Sequence, residues 1–244
     1  MSNKPSQYTF RNGISDSIPI GLGYLSVSFG FGVAAAAGGL SPLIAIIISL
    51  TNMTSAGQVA GVSIMLAAGS LVEMALTQLT INLRYSLMSI SLSQKLDASF
   101  SFIHRAVCGF GMTDEVFAVA SSKKGSIGPK YMYGLILLPY LCWSLGTVLG
   151  AVAGSLLPDA LKNALGIAIF GMFIAIVLPE AKKSLGVALA SLISAAISCA
   201  LYYIPVFSSI GSGFSIIICA LAASAIVAAI LPVKEEGEEV TEHE

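Results

Sequence analysis

One stretch of the sequence, residues 51–85, combines strong apolar character with an unusual number of polar side chains. It begins T-N-M-T-S-A-G-Q, continues through an apolar run and ends T-Q-L-T-I-N-L-R-Y. Its polar members include Asn52, Thr54, Ser55, Gln58, Glu73, Gln78, Thr80, Asn82 and Arg84. Within a bilayer such groups are costly unless they pair with one another, line a cavity or contact a ligand. The stretch therefore predicts a polar path inside a membrane-embedded domain.

Composition supports a membrane setting for the whole chain. Of its 244 residues, 56% are hydrophobic and only 10% are charged, whereas soluble domains carry about 25% charged residues. We therefore expect an all-α, polytopic membrane helix bundle. The net charge of −1 offers no basic surface, so nucleic acid is not an expected partner. The four cysteines are far apart in sequence, so neither a disulfide nor a metal site is expected.

The apolar pattern divides the chain into three parts. Residues 1–13 form a polar N-terminal segment without a removable signal peptide, and residues 14–231 form the predicted transmembrane transporter domain. Residues 232–244 form an acidic tail that we expect to be disordered. The domain holds about seven apolar elements, which are 14–38, 42–68, 69–92, 131–154, 160–178, 184–204 and 212–231.

The second apolar element contains a break. Two short apolar halves flank the polar residues 51–58. This pattern predicts a discontinuous or re-entrant helix, a device with which transporters build binding sites. The alternative is an ordinary helix whose Ser and Thr side chains bond back to their own carbonyls. Basic residues in 93–130 and 179–184 favour the cytoplasm, and the charged N-terminus agrees with them only if the element re-enters.

A shift of 116 residues aligns the first apolar element with the fourth. Tyr24, Gly30, Gly38 and Pro42 are matched by identical residues at 140, 146, 154 and 158. Duplicated halves are a feature of transporters, and we expect repeat halves at about 14–92 and 131–204. Small residues four apart in both copies predict close helix packing, at Gly30-Ala34-Gly38 and Gly146-Gly150-Gly154.

Two adjacent acids mark the polar segment between residues 93 and 130. The run Met112-Thr113-Asp114-Glu115 opens a short predicted helix that extends to Ala120. Thr113 is suited to cap this helix, and acids in the first turn are favoured by the helix dipole. That capping role is an alternative to a functional one. The aromatic residues Trp143, Tyr131, Tyr133 and Tyr140 are typical of anchors at the membrane interface.

Four segments carry a resemblance to a known family. They are P-I-G-L-G at 19–23, S-A-G-Q at 55–58, I-N-L-R-Y at 81–85 and M-T-D-E-V-F-A at 112–118. In order and spacing they resemble signature segments of the AzlC/YgaZ family, and the similarity extends over roughly residues 14–230. One departure is Tyr85, where the family often has His, so a proton role at that position is not expected here.

The resemblance implies a multi-pass protein of the bacterial cytoplasmic membrane. Members are the large subunit of branched-chain amino acid exporters, which work with a small hydrophobic AzlD/YgaH-type subunit. It implies export of valine, leucine or isoleucine, and of methionine in some members, by secondary transport. Because the sequence has no G-x-x-x-x-G-K-[ST] run, no nucleotide or other cofactor is expected. No enzymatic activity is expected; the alternative function is a channel or permease for another small solute.

An amino acid zwitterion needs an anion site, a cation site and an apolar pocket. Arg84 can hold a carboxylate with two hydrogen bonds, as can free N–H groups at the break. Asp114 or Glu115 can receive the ammonium group or carry a coupled proton. The alternative for Arg84 is an ion pair with one of these acids that joins two elements. The predicted substrate-binding residues are Asn52, Ser55, Gln58, Asn82, Arg84, Asp114 and Glu115.

Overall fold

The computed structural model describes residues 7–156, 158, 160, 171, 174, 177–207 and 209–231, and in this part the chain is helical with no strand. The named helices are α1 (Phe10–Ala37), α2 (Pro42–Thr51), α3 (Ser55–Leu66), α4 (Leu71–Ser93), α5 (Phe102–Phe110), α6 (Asp114–Ser122), α7 (Pro129–Leu156), α8 (Leu185–Tyr203) and α9 (Ser212–Ile230). Residues 177–183 are also helical. Most of the predicted element 160–178 and the predicted tail 232–244 lie outside the described residues.

Four of these helices are long and apolar enough to cross a membrane. They are α1, α7, α8 and α9, which confirms an all-helical, multi-pass membrane protein. The expected seven apolar elements are not confirmed. Helices α2 and α3 are short, because the second predicted element is divided in two.

Local capping moves the start of α1 into the predicted N-terminal polar segment. Thr9 and Asn12 form a reciprocal capping box, in which the Asn12 N–H donates to Thr9 Oγ1 (3.3 Å) and the Thr9 N–H donates to Asn12 Oδ1 (2.9 Å). These bonds satisfy donors that the first turn otherwise leaves free. The helix therefore begins at Phe10 instead of residue 14.

Helices α1 and α7 run parallel and form the most extensive packing in the molecule. Their backbones touch at glycines of α7. A Cβ at Gly134 would collide with the carbonyl of Phe10, and one at Gly150 with the backbone of Phe29. The predicted close-packing face of α7 is therefore correct, since only glycine allows such an approach.

The close-packing face predicted for α1 has a different outcome. Gly30 has open space around it, whereas Gly13 and Gly32 are the glycines of α1 that meet the α7 backbone. Gly30 is buried but makes no close backbone contact with another helix, because a spacing of four does not by itself indicate which face meets the partner helix. The 116-residue repeat stays a prediction.

Helices α2 and α3 form a hairpin, which we call the first hairpin. Its tip is residues 52–54. The limbs face each other, since Ser49 Oγ donates to Gln58 Oε1 (3.3 Å) and Ala45 shares a buried cluster with Val62. The far end of α3 returns to the start of the hairpin, because a Cβ at Gly38 would touch the Leu66 side chain. The predicted break is present, and its two halves fold back on each other.

Helices α5 and α6 form a second hairpin with its tip at residues 111–113. Its base is closed by backbone bonds, from Asp97 N–H to the Ile127 carbonyl (3.0 Å) and from Ile127 N–H to the Lys95 carbonyl (2.9 Å). Sequence analysis missed α5, because His104 and Arg105 made this segment look like a polar connection. The predicted helix from Asp114 is present, and the Val116 N–H donates to the capping Thr113 Oγ1 (3.3 Å).

The two hairpins enter the bundle from opposite ends. Helix α4 starts beside the end of α3, where the Gly69 N–H donates to the Ile64 carbonyl (2.9 Å). It finishes next to the start of α7, which lies beside the start of α1. Helix α4 is therefore antiparallel to α1, and the hairpin that follows each of them points toward the middle of the molecule.

Candidate functional site

The two hairpin tips meet at a cavity of about 440 Å³. The first hairpin contributes Met53, Ser55 and Ala56 to its wall, and the second contributes residues 113–115. The rest of the wall comes mainly from the middle portions of α1, α4 and α7. The cavity therefore lies midway along the membrane-crossing helices, where transporters place their substrate sites.

An ion pair crosses one side of this cavity. Arg84 Nη2 lies 2.9 Å from Asp114 Oδ2, and the two side chains are 47% and 39% exposed. The same nitrogen donates to the Tyr85 hydroxyl (3.1 Å). The pair joins α4 to the second hairpin, which is the arrangement considered as the alternative for Arg84. Its partial exposure leaves both groups open to a ligand in the cavity.

The second acid has a different partner. The Tyr24 hydroxyl donates to Glu115 Oε2 at 2.5 Å, and the Tyr24 ring packs edge-on against Trp143 with ring centroids 5.2 Å apart. Trp143 is 2% exposed, and its indole N–H has no hydrogen-bond partner among the described residues. Trp143 and Tyr131, which is fully buried, are core residues, so their prediction as interface anchors was wrong.

The first turn of α3 faces the cavity without a side-chain cap. Thr54 occupies the capping position but makes no hydrogen bond to that turn. Its hydroxyl donates instead to Asn82 Oδ1 (2.8 Å). The first N–H groups of a helix have no partner within the helix and carry its positive dipole. Those of Ser55 and Ala56 are therefore suited to bind an anionic group.

Three predicted site residues support the first tip and do not line this cavity. Asn52 Oδ1 accepts from the Thr54 N–H (2.8 Å), and Gln58 Nε2 donates to the Asn52 carbonyl. Asn82 Nδ2 donates to Gln78 Oε1 (3.2 Å). Asn52 and Gln58 line a separate, smaller cavity of about 210 Å³. The other four, Ser55, Arg84, Asp114 and Glu115, line the main cavity.

Sequence reasoning missed several residues of the site and its support. Tyr24 and Trp143 resembled ordinary membrane aromatics. Ser49 and Thr147 are fully buried and hydrogen-bonded to each other (2.8 Å), so they link the first hairpin to α7. The available signal was weak, because single hydroxyl residues in apolar runs commonly bond to their own helix.

Comparisons with known proteins place the chain among membrane proteins of one family. The profile of the AzlC protein family matches residues 19–157, a range that includes both hairpins. "Inner membrane protein YgaZ" of Escherichia coli K12 is 33% identical over 211 residues, which cover 83% of this chain and 86% of the relative. An "Uncharacterized membrane protein" of Archaeoglobus fulgidus is 36% identical over 175 residues, covering 71% of this chain and 76% of the relative.

A further relative, an "Uncharacterized membrane protein" of Helicobacter pylori J99, is 27% identical over 150 residues, covering 60% of this chain and 64% of the relative. No solved structure matches the chain. Because the family profile covers more than half of the sequence and YgaZ aligns with most of it, this chain belongs to the AzlC family of membrane proteins.

Proposed function

We propose that this protein is a membrane transporter subunit that exports branched-chain amino acids by secondary transport. The observation that carries the proposal is the mid-membrane cavity in which an ion pair, Arg84–Asp114, lies among apolar residues and between two hairpin tips. A membrane transport role agrees with membership of the AzlC family. The choice of substrate is our inference from the chemistry of the cavity and from the family resemblance.

The polar wall suits the two charged ends of an amino acid. The planar guanidinium of Arg84 can hold a carboxylate with two hydrogen bonds, and the N–H groups of Ser55 and Ala56 can add further donors. Asp114 or Glu115 receives the ammonium group. When a substrate carboxylate binds, it competes with Asp114 for Arg84, so binding loosens the contact between α4 and the second hairpin.

The apolar wall suits an aliphatic side chain. It includes Ile20, Val27, Met53, Ile81 and Val177. These residues carry no group that would require a polar side chain on the substrate, and burying a branched aliphatic group there gains roughly 1.5–3 kcal/mol. This surface favours valine, leucine, isoleucine and methionine over polar amino acids.

The remaining predicted residues act through the first hairpin in this proposal. Asn52, Gln58 and Asn82 hold the tip at the position from which Ser55 meets the substrate. Transport requires one gate to open while the other stays closed. We infer that the hairpins, which enter from opposite ends, are the elements that move.

The distribution of charge suggests an orientation. Most basic residues lie at the end of the bundle where α1 begins, in α1, in and around the second hairpin, at the start of α7 and before α8. They are Arg11, Lys95, Arg105, Lys123, Lys124, Lys130, Lys182 and Lys183. Of the connections at the other end, residues 38–41, 67–70 and 204–211 have no Lys or Arg, and the segment after α7 carries Lys162. Basic segments favour the cytoplasm, so the N-terminus is cytoplasmic in this proposal and the protein lies in the cell membrane.

A small AzlD/YgaH-type subunit is the proposed partner. Helix α8 buries none of its residues within the described part of the chain, and α4 exposes Leu76, Leu79, Leu83 and Leu87 along one side. Such apolar surfaces must be covered by lipid or by another membrane helix. They leave room for a partner without displacing any helix in the described part of the chain.

Efflux of preloaded labelled leucine tests the proposal directly. Cells that express this chain together with its small partner should lose leucine faster than cells that express either alone. Arg84→Ala in the same cells should return efflux to the background rate. Equal efflux with and without the protein would overturn the proposal. Non-saturable flux without counterflow would favour the alternative, a channel.

A further inference from the structure

The second hairpin fills the space between the main cavity and the end of the bundle where α1 begins. Its tip lies at the cavity, and its base lies beside the start of α7. One buried cluster connects the two, and its fully buried members along this route are Val116, Ala120, Ile127, Tyr131, Met132 and Leu135. A separate cavity of about 140 Å³ beneath α5 shares no lining residue with the main one. Because packed cores leave few voids larger than a water molecule, an amino acid reaches the main cavity from this end only if the second hairpin moves.

A polar cluster fastens the base of this hairpin to α1. Lys123, the residue after α6, places its Nζ 2.7 Å from Asp16 Oδ2. The Tyr131 hydroxyl of α7 donates to the same oxygen (2.9 Å). In the segment before α1, the Tyr8 hydroxyl donates to the carbonyl of Lys124 (3.1 Å). The end of the second hairpin is therefore tied to both of the long helices that it packs against.

Two aromatic rings partly shield the ion pair. The Lys123 Nζ lies 5.6 Å from the ring centroid of Tyr8 and 5.8 Å from that of Tyr131, distances at which a ring face attracts a cation. The Lys123 and Asp16 side chains are still 24% and 29% exposed. Both charges can therefore be hydrated when the contact opens, without passing through the core.

The first hairpin is attached to α7 in a different way. Ser49 and Thr147 are fully buried and hydrogen-bonded to each other (2.8 Å), and Gln58, which bonds to Ser49, is also buried. Breaking these bonds would leave buried polar groups without partners, which is costly. Of the two hairpins, the second is therefore the one whose polar attachment at the base can open to water.

We propose that the Asp16–Lys123 pair, together with the Tyr8–Lys124 hydrogen bond, is a latch that holds the second hairpin closed over the main cavity. When the latch opens, the base of the hairpin separates from α1 and the cavity becomes accessible from the end where α1 begins. This inference rests on the proposed function, and in the orientation proposed above it makes the second hairpin the cytoplasmic gate.

Labelling of a cysteine in the cavity measures whether this end is open. Ala56 lines the cavity, so Ala56→Cys places a thiol there, and the protein without that change gives the background from the native cysteines. A charged, membrane-impermeant thiosulfonate is added to vesicles of either orientation, and a tag at the N-terminus identifies the face that carries it. Asp16→Asn and Lys123→Met should each speed labelling from that face alone, by roughly two- to fivefold, because the rate follows the population of the open form.

Two further variants control for the position and the charge. Lys123→Arg keeps the charge and should label as slowly as the parent protein. Lys124→Met should also label slowly, because Lys124 is exposed and meets Tyr8 through its carbonyl. In the background without Ala56→Cys, a short bismaleimide that joins Asp16→Cys to Lys123→Cys should stop efflux of labelled leucine.

Unchanged labelling in folded Asp16→Asn and Lys123→Met would overturn the latch, as would equally fast labelling in Lys124→Met or efflux that continues after cross-linking. If neither substituted protein folds, Tyr8→Phe decides, because it removes the hydroxyl that bonds to the Lys124 carbonyl; unchanged labelling there would overturn the latch too. The labelling contains no leucine, so its failure counts against the latch alone. Absence of leucine efflux from the unmodified protein overturns the proposed function.

Discussion

Arg84 and Asp114 lie on different elements, α4 and the second hairpin, and their side chains meet at 2.9 Å in the wall of the main cavity. Both groups are more than one-third exposed, and exposed pairs contribute at most about 1 kcal/mol to stability. This partial exposure favours a role for Arg84 in ligand binding over a role in stability. A residue needed mainly for stability would be expected in a more deeply buried pair.

Arg84→Lys should therefore weaken leucine binding without destabilising the protein. The ammonium retains the charge but cannot reproduce the planar, two-pronged contact with a carboxylate. Loss of a charged hydrogen bond worth about 1.5–3 kcal/mol corresponds to a roughly 10- to 100-fold weaker affinity. Binding and thermal unfolding should be measured on the same purified samples. Unchanged affinity with a lowered unfolding temperature would show that Arg84 is only structural.

Gln58→Ala and Asn82→Ala should abolish transport while protein remains in the membrane. Both side chains hold the first tip, through Asn52 and Thr54 respectively. Thr80→Ala is a suitable control, because among the described residues the Thr80 hydroxyl bonds only to the Leu76 carbonyl of its own helix and should be dispensable. Transport and fluorescence-detected chromatography should be compared. Loss of folded protein in the two variants would indicate that these residues serve packing and not the site.

Gly150→Ala should destabilise the protein because it separates α1 from α7. The added Cβ would collide with the backbone of Phe29, and overpacking of this kind typically costs about 1–3 kcal/mol. Gly30→Ala is the matched control, since Gly30 has open space around it and alanine favours the helix. The unfolding temperature should fall for the first variant and stay level or rise for the second. Equal effects would contradict the parallel packing of the two helices.

Removal of residues 234–244 should leave export intact. This segment holds six acidic residues and no apolar run, so it offers no anchor to the bundle. Efflux of labelled leucine should be compared at matched amounts of protein in the membrane. A truncated protein that reaches the membrane without exporting leucine would reveal a contact with a regulator or with the small subunit.

The sequence by itself determined the membrane class, the helical architecture and a break within residues 51–58. These follow from local properties, since apolar length sets where helices can cross and polar runs with glycine interrupt them. Four of its predicted site residues line the main cavity. Ser55 and Arg84 were predicted as polar groups in apolar surroundings, and Asp114 and Glu115 as adjacent acids that open a short helix. The cap by Thr113 was also predictable, because helix capping depends on only a few neighbouring residues.

Only the tertiary structure decided which of these residues share a cavity. Asn52 and Ser55 are three positions apart, but one supports the tip and the other lines the cavity. Tyr24 and Glu115 are 91 positions apart and share a hydrogen bond. Such relationships depend on how the second hairpin, with its unpredicted helix α5, folds back between α1 and α4. Long-range packing sets that geometry, and hydrophobic periodicity along one segment carries no information about which distant segment it will meet.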